Sequence, residues 1–75
     1  MKELVEYLAK NLVDNPDEVQ VRENRSEYIT RIFLHVDPED KGKVIGREGK
    51  IARAMRALVS ASAARDGKRG VLEID

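Results

Sequence analysis

The stretch that decides the fold is Val44-Ile45-Gly46-Arg47-Glu48-Gly49-Lys50-Ile51. Its two glycines stand three residues apart with two charged residues between them, and an amphipathic helical pattern follows. Glycine permits a tight turn and the close approach of a second backbone. A glycine loop that opens a helix presents free N–H groups and the positive end of the helix dipole. The stretch therefore predicts a loop that can hold a phosphate.

The rest of the composition argues against catalysis. The chain has 75 residues, which indicates one domain, and it contains no cysteine and a single histidine, His35. These counts exclude disulfides, thiolate metal sites and histidine clusters. No apolar run approaches the ~20 residues of a transmembrane helix, and the charged start argues against a signal peptide. We therefore expect a cytoplasmic, non-enzymatic protein with no membrane contact, no metal and no cofactor.

The zero net charge hides an asymmetry. Residues 1–40 hold ten acidic and five basic side chains, whereas residues 41–70 hold nine basic and two acidic ones. A basic second half is typical of proteins with a polyanionic partner. The alternative, that amphipathic helices simply need charged outer faces, stays open on charge alone.

The first half of the chain predicts a helix followed by a hairpin. A helix over 2–14 has an apolar stripe and ends at Asn15-Pro16. A strand at 19–22, a polar turn at 24–27 and a strand at 28–36 follow. In the second strand we assign to the core Thr30, Ile32, Leu34 and Val36. The opposite, wetter face carries Ile29, Arg31, Phe33 and His35.

The second half predicts two helices and a strand. Asp37-Pro38-Glu39-Asp40 is a strong helix start, since Asp37 can cap and Pro38 suits the first position. This short helix must end at Gly46, and a long one runs from 50 to 65. Its predicted core face holds Ile51, Ala54, Met55, Leu58, Val59 and Ser62. A strand at 71–74 completes the order α-β-β-α-α-β.

Common nucleotide motifs do not fit the glycine loop. A P-loop needs four residues between its glycines, followed by Lys-Ser/Thr, and a dinucleotide fingerprint needs a further glycine directly after a strand. A helix–Gly-x-x-Gly–helix arrangement remains, flanked by basic residues. By itself this motif is also compatible with a plain turn between two helices.

With its surrounding element order, the chain resembles the KH domain in its bacterial, type II arrangement. The likeness covers residues 1–75 as one domain and is strongest to small bacterial proteins that consist of a KH domain alone. It implies an α+β fold with three helices on one face of a three-stranded mixed sheet. It also implies non-catalytic binding of single-stranded RNA by a loop that clamps about four nucleotides.

The resemblance implies a set of RNA-binding residues. The glycines let a sugar-phosphate backbone approach, Arg47 and Lys50 pair with phosphates, and an apolar pair helps wall a groove for bases. Glu48 opposes the local positive field. The expected set is Lys43, Val44, Ile45, Gly46, Arg47, Glu48, Gly49, Lys50 and Arg53. Outside it, we expect Arg56 to be solvated, Lys68 and Arg69 to lie in a surface loop, and His35 to lie on the strand surface.

The resemblance also implies partners: a second copy of the chain, and a larger RNA-binding protein acting with it as an RNA chaperone in control of envelope growth and cell length. The alanines of the second long helix can pack against a second copy or serve the domain's own core. A different function, a protein-interaction module with little RNA binding, is favoured by Glu48 and the zero net charge. The basic block from Lys41 to Arg56 favours RNA.

Overall fold

The computed structural model describes all 75 residues and has the predicted order of elements. Three short 3-10 turns, Pro16–Glu18, Pro38–Asp40 and Arg47–Gly49, lie between the main elements. The helices and strands are α1 (Lys2–Leu12), β1 (Gln20–Arg25), β2 (Ile29–His35), α2 (Lys41–Ile45), α3 (Lys50–Arg65) and β3 (Arg69–Ile74).

The sheet is mixed, with β2 in the centre. β1 runs antiparallel to β2 with Gln20 opposite His35, and β3 runs parallel to β2 with Ile29 opposite Arg69. The helices cover one face of this sheet. The residues predicted for the inner face are all buried: Thr30, Ile32, Leu34 and Val36. The predicted α+β class, with three helices on one face of a three-stranded mixed sheet, is confirmed.

The core joins this sheet face to all three helices. Val5 and Ala9 come from α1, Val44 from α2, and Met55 and Val59 from α3. The remaining members lie on the sheet or next to it: Val19, Val21, Ile32, Leu34, Val36 and Leu72. Because α2 contributes a core residue with no exposed surface, the glycine loop that follows is held on a packed support.

The prediction of which face of α3 is buried is wrong, because the observed buried face is rotated by part of a turn from the predicted one. The buried residues of α3 are Ala52, Met55, Val59 and Ala63, whereas Ala54 and Leu58 are exposed. The reason is the close contact with β3, where a Cβ placed on Gly70 would lie 2.5 Å from the carbonyl oxygen of Val59. Small residues face the sheet so that the helix can approach it, and this rotates Leu58 outward.

Several predicted boundaries also shift. α1 ends at Leu12, two residues early, and Asn15 has a φ of −118° instead of a left-handed conformation. β1 extends through Arg25 into the predicted turn, so the hairpin turns over Ser26 to Tyr28. β3 begins at Arg69 because the Arg69 N–H donates to the Tyr28 carbonyl at 2.8 Å. The strand-pairing contacts that set these boundaries join residues distant in the chain, so local sequence patterns do not predict them.

Candidate nucleic-acid interface

The start of α2 is fixed by the predicted cap. The Asp37 carboxylate accepts the backbone N–H of Glu39 at 3.0 Å, and Pro38 occupies the first position of the turn that leads into the helix. Val44 is then fully buried. Its side chain therefore holds α2 in the core and presents no surface to a ligand, while the neighbouring Ile45 is 39% exposed.

Three residues of the loop between α2 and α3 have a positive φ. Gly46 has φ 78° and ψ 173°, Glu48 has φ 58°, and Gly49 has φ 74°. The Gly49 N–H donates to the Gly46 carbonyl at 3.1 Å, which closes the turn. Glu48 is the single non-glycine residue of the chain with a positive φ, a conformation that costs a side chain of this kind roughly 1–2 kcal/mol.

The two glycines of the loop are required for different reasons. A Cβ on Gly46 would lie 2.7 Å from Cγ1 of Ile51, and its φ and ψ fall in a region open almost only to glycine. A Cβ on Gly49 would meet nothing within 4 Å. Gly46 thus allows the turn to pack on α3, whereas Gly49 leaves an open surface where another backbone can approach.

Three predicted cations surround the loop with no acidic partner. Arg47, Lys50 and Arg53 are exposed, and none of them takes part in an ion pair or a side-chain hydrogen bond within the chain. Glu48 is also exposed and unpaired. The loop therefore presents three free positive charges and one free negative charge to solvent.

Lys43 is placed differently from the other predicted cations. Its ammonium lies 3.0 Å from the Asp14 carboxylate and 3.5 Å from the Asp40 carboxylate. The hydrogen bond and charge of Asp14, followed by those of Asp40, raise the pKa of Lys43 above its ordinary value. Sequence reasoning missed this pairing because Asp14 is 29 positions away along the chain.

Asp40 is the buried anchor of the same group. Its side chain is 4% exposed, and burial by itself opposes ionisation. Hydrogen bonds from the backbone at Asn15 and Asp14, and from Lys43, outweigh this and hold the pKa of Asp40 below its ordinary value. The Asn15 N–H donates to Asp40 at 3.0 Å, so the end of α1 and the start of α2 are tied together.

The remaining polar predictions have mixed outcomes. Arg56 is exposed, but its Nε donates to the Leu72 carbonyl at 3.4 Å and so covers part of the β3 edge. Arg69 belongs to β3 and not to a loop. His35 lies on the open sheet face as expected, with Nδ1 3.2 Å from the Asp75 carboxylate. No group of His, Cys, Asp and Glu is arranged to hold a metal ion.

An apolar groove begins beside the loop and runs between α1 and α3. It has a volume of about 410 Å³. Its exposed centre is formed by Leu12 and Leu58, which are 36% and 46% exposed. The groove is lined by Leu8, Asn11, Leu12, Lys50, Ile51, Ala54, Met55 and Leu58. The sequence contains a signal for this groove, since both helices carry more apolar residues than one face can bury.

Comparison with known proteins identifies the kind of domain. The family model described as "KhpA/KhpB, KH domain" matches residues 2–74. The chain belongs to this family. The KH family to which the resemblance pointed is thereby confirmed, and with it a non-enzymatic kind of protein.

Relatives of this KhpA/KhpB domain match it along almost its whole length. "RNA-binding protein KhpA" of Clostridium acetobutylicum is 53% identical over 99% of each chain. The protein of the same name from Aquifex aeolicus is 51% identical over 99% of this chain and 94% of its own. That of Streptomyces coelicolor is 40% identical over 100% and 95%. No solved structure is significantly similar.

In KH domains generally, a Gly-x-x-Gly loop clamps the backbone of single-stranded nucleic acid. In this chain Gly46 and Gly49 bound the turn between α2 and α3, and the two residues between them are exposed. No helix of the structure is long and apolar enough to cross a membrane.

Proposed function

We propose that this protein binds single-stranded RNA, with the backbone of the strand lying against the Gly46–Gly49 turn. The observation that carries the proposal is the set of unpaired cations around an open glycine. Arg47, Lys50 and Arg53 have no acidic partner, and nothing lies within 4 Å of the Cβ position of Gly49. The relatives named RNA-binding proteins support the choice of RNA as the polyanion.

The contacts are mostly electrostatic. Arg47 and Lys50 pair with phosphates, Arg53 extends the positive surface by one turn of α3, and the exposed Ile45 supports a base. These contacts carry little sequence information, because phosphates are the same in every strand. Glu48 weakens the local field. A single domain with few phosphate contacts binds weakly, and its affinity falls with salt.

Self-association is the second part of the proposal, and the occupant of the apolar groove is a second copy of the chain. The alanines of α3 divide into two sets: Ala52 and Ala63 are buried, whereas an outward stripe is exposed. That stripe is Ala54, Ala57, Leu58 and Ala61, with helical spacing. Small residues around one leucine allow close approach of a matching helix, and a two-fold axis makes the same patch serve both copies.

A pair of domains would place two glycine loops on one assembly. Two weak sites that bind the same strand act together through a high effective concentration. This is a physical route from a weak single loop to useful RNA affinity.

The cellular part of the proposal rests on family membership. The matched family spans KhpA and KhpB, and we place the chain beside a larger KhpB-type RNA-binding partner. Together they would act as RNA chaperones in post-transcriptional control of envelope growth and cell length, in the cytoplasm. Co-purification with the KhpB-type protein and measurement of cell length after deletion of the gene test this part.

The decisive experiment on RNA binding compares two glycine variants. Gly49→Asp places a carboxylate in the open space of the loop, where phosphate is expected. Gly67→Asp is the matched control, because Gly67 has nearly the same φ, +73° against +74°, and the same open surroundings. Asp tolerates the left-handed conformation better than most residues, so both variants are expected to fold.

Binding of a labelled single-stranded RNA is measured at about 50 and 200 mM salt. We expect wild type to bind more weakly at the higher salt, Gly49→Asp to lose at least about tenfold, and Gly67→Asp to stay close to wild type. Equal binding by the two variants would remove the loop from the interface. Absence of salt-dependent binding by wild type would leave a protein-interaction module as the better function.

A further inference from the structure

One predicted RNA contact, Lys43, is already occupied by the protein. Its ammonium lies between Asp14, 3.0 Å away, and Asp40, 3.5 Å away. The other basic residues expected at the interface have no such partner. A phosphate that approaches Lys43 must therefore displace a carboxylate, whereas one that approaches Arg47 or Lys50 displaces none.

The two acidic partners of Lys43 have different roles. Asp40 is 4% exposed and also accepts the Asn15 N–H at 3.0 Å, so it fixes the fold. Asp14 is 81% exposed and its carboxylate has no other partner within the chain. An exposed carboxylate can leave without cost to the packing, whereas a buried one cannot.

Lys43 is also close enough to the loop to serve RNA. It precedes Gly46 by three residues on α2, which is about 4.5 Å along a helix axis. Its side chain is 44% exposed, so the ammonium can turn towards solvent while the stem stays on α2. A phosphate beside Gly46 would then compete with Asp14 for the same cation.

We propose that Asp14 sets the RNA affinity of the glycine loop by holding Lys43 in an internal ion pair that a phosphate must replace. The inference rests on the proposed RNA-binding function. It assigns a role in affinity to a residue just after α1, outside the Gly-x-x-Gly motif. In this exchange Lys43 keeps its 3.5 Å contact with the buried Asp40, and the phosphate replaces Asp14 alone.

The test removes the exposed carboxylate and leaves the buried one in place. Asp14→Asn is compared with Asp17→Asn, a matched loss of one charge at an exposed aspartate three residues on, which has no ion-pair partner. Binding of a labelled single-stranded RNA is titrated over a range of salt. Both substitutions lie on the surface, so their effect on folding is expected to be small.

We expect Asp14→Asn to bind RNA about 2–5-fold more tightly at low salt. The slope of log affinity against log salt should change by less than about 0.7, the value for one additional cation on a single strand, because Lys43 reaches the phosphate in both proteins. Asp17→Asn should change affinity by less than about 1.5-fold and leave the slope unchanged, because Asp17 is exposed to screening solvent and pairs with no cation of the chain.

A second pair of variants tests the route through Lys43. The background variant is Lys43→Gln, whose side chain can still donate to Asp40. In this background, Asp14→Asn should raise RNA affinity no more than Asp17→Asn does. The inference is overturned if Asp14→Asn still raises RNA affinity when Lys43 is replaced by Gln. It is also overturned if the two aspartate variants have equal effects on RNA affinity in the wild-type background. If those effects are equal while Gly49→Asp still weakens RNA binding, only the role of Asp14 fails. If wild type does not bind RNA, both proposals fail.

Discussion

Helix α3 presents two different surfaces, one at its first turn and one along its middle. At the first turn, Lys50 and the nearby Arg47 form an exposed, positively charged end. Along the middle, Ala54 and Leu58 form an exposed apolar stripe next to Leu12 of α1. The charged end suits a phosphate backbone, whereas the apolar stripe suits another protein surface.

The difference shows how one short helix can serve two kinds of partner. Leu58 follows Lys50 by eight residues, which is about 12 Å along the axis. The two surfaces are therefore far enough apart to be changed separately, yet both depend on how α3 packs against the sheet. Substitutions on α3 and its loop can therefore separate these surfaces or test the packing they share.

The largest effect is expected from Leu58→Asp. A carboxylate at the centre of the apolar stripe would be desolvated in the interface, so self-association should weaken at least about tenfold. Analytical ultracentrifugation measures this. RNA binding through the loop should persist with the lower affinity of a single domain.

Ser60→Asp provides the control for Leu58→Asp, because Ser60 is exposed on α3 but lies away from the stripe. It should associate as wild type does. A wild type that stays monomeric at high concentration, or a Ser60→Asp variant as monomeric as Leu58→Asp, would remove self-association from this surface.

The second effect concerns the two glycines of the loop. Gly46→Ala should lower the free energy of unfolding by about 2–4 kcal/mol, since it combines a strained backbone with a clash against Ile51. Gly49→Ala has strain without a clash and should cost about 1–2 kcal/mol. Urea unfolding ranks the two, and the reverse order would contradict the packing role of Gly46.

Substitutions of Glu48 should have a smaller effect. Two of them separate the contribution of its charge to RNA affinity from that of its backbone strain to stability. Glu48→Gln and Glu48→Asn both remove the negative charge, and each should raise RNA affinity about 2–5-fold at low salt. Only Asn readily adopts the left-handed conformation, so only Glu48→Asn should also stabilise the fold, by about 0.5–1 kcal/mol. Equal stabilities of the two variants would show that the backbone of Glu48 is not strained.

The last comparison concerns Asp40 and is made through the pH dependence of stability. The pKa of Asp40 is lower in the folded state than the ordinary value near 3.9, so its contribution is complete above about pH 5 and is lost as pH falls through the folded pKa. Asp40→Asn should therefore flatten the decline in stability of wild type in acid. Unfolding curves between about pH 2 and pH 7 measure this, and parallel profiles would exclude a role for the ionised carboxylate.

Local patterns predicted much of the fold because the physics involved is local. The alternation of residues in β2 defined its buried face, and the Asp37-Pro38 start defined the turn before α2. The glycine spacing predicted a tight loop between two helices, and both glycines of that loop have a positive φ. Each of these depends on a few neighbouring residues, which a sequence displays directly.

What the sequence alone determined is the kind of domain, the order of its elements and the residue types of its glycine loop. Only the tertiary structure decided which side of α3 faces the sheet, because apolar residues and alanines occur around most of that helix and the approach of Gly70 to Val59 selects the orientation. The tertiary structure likewise placed Asp14 beside Lys43 and Arg56 beside the Leu72 carbonyl. These contacts join residues distant in the chain, so no local pattern of charge or hydropathy specifies them.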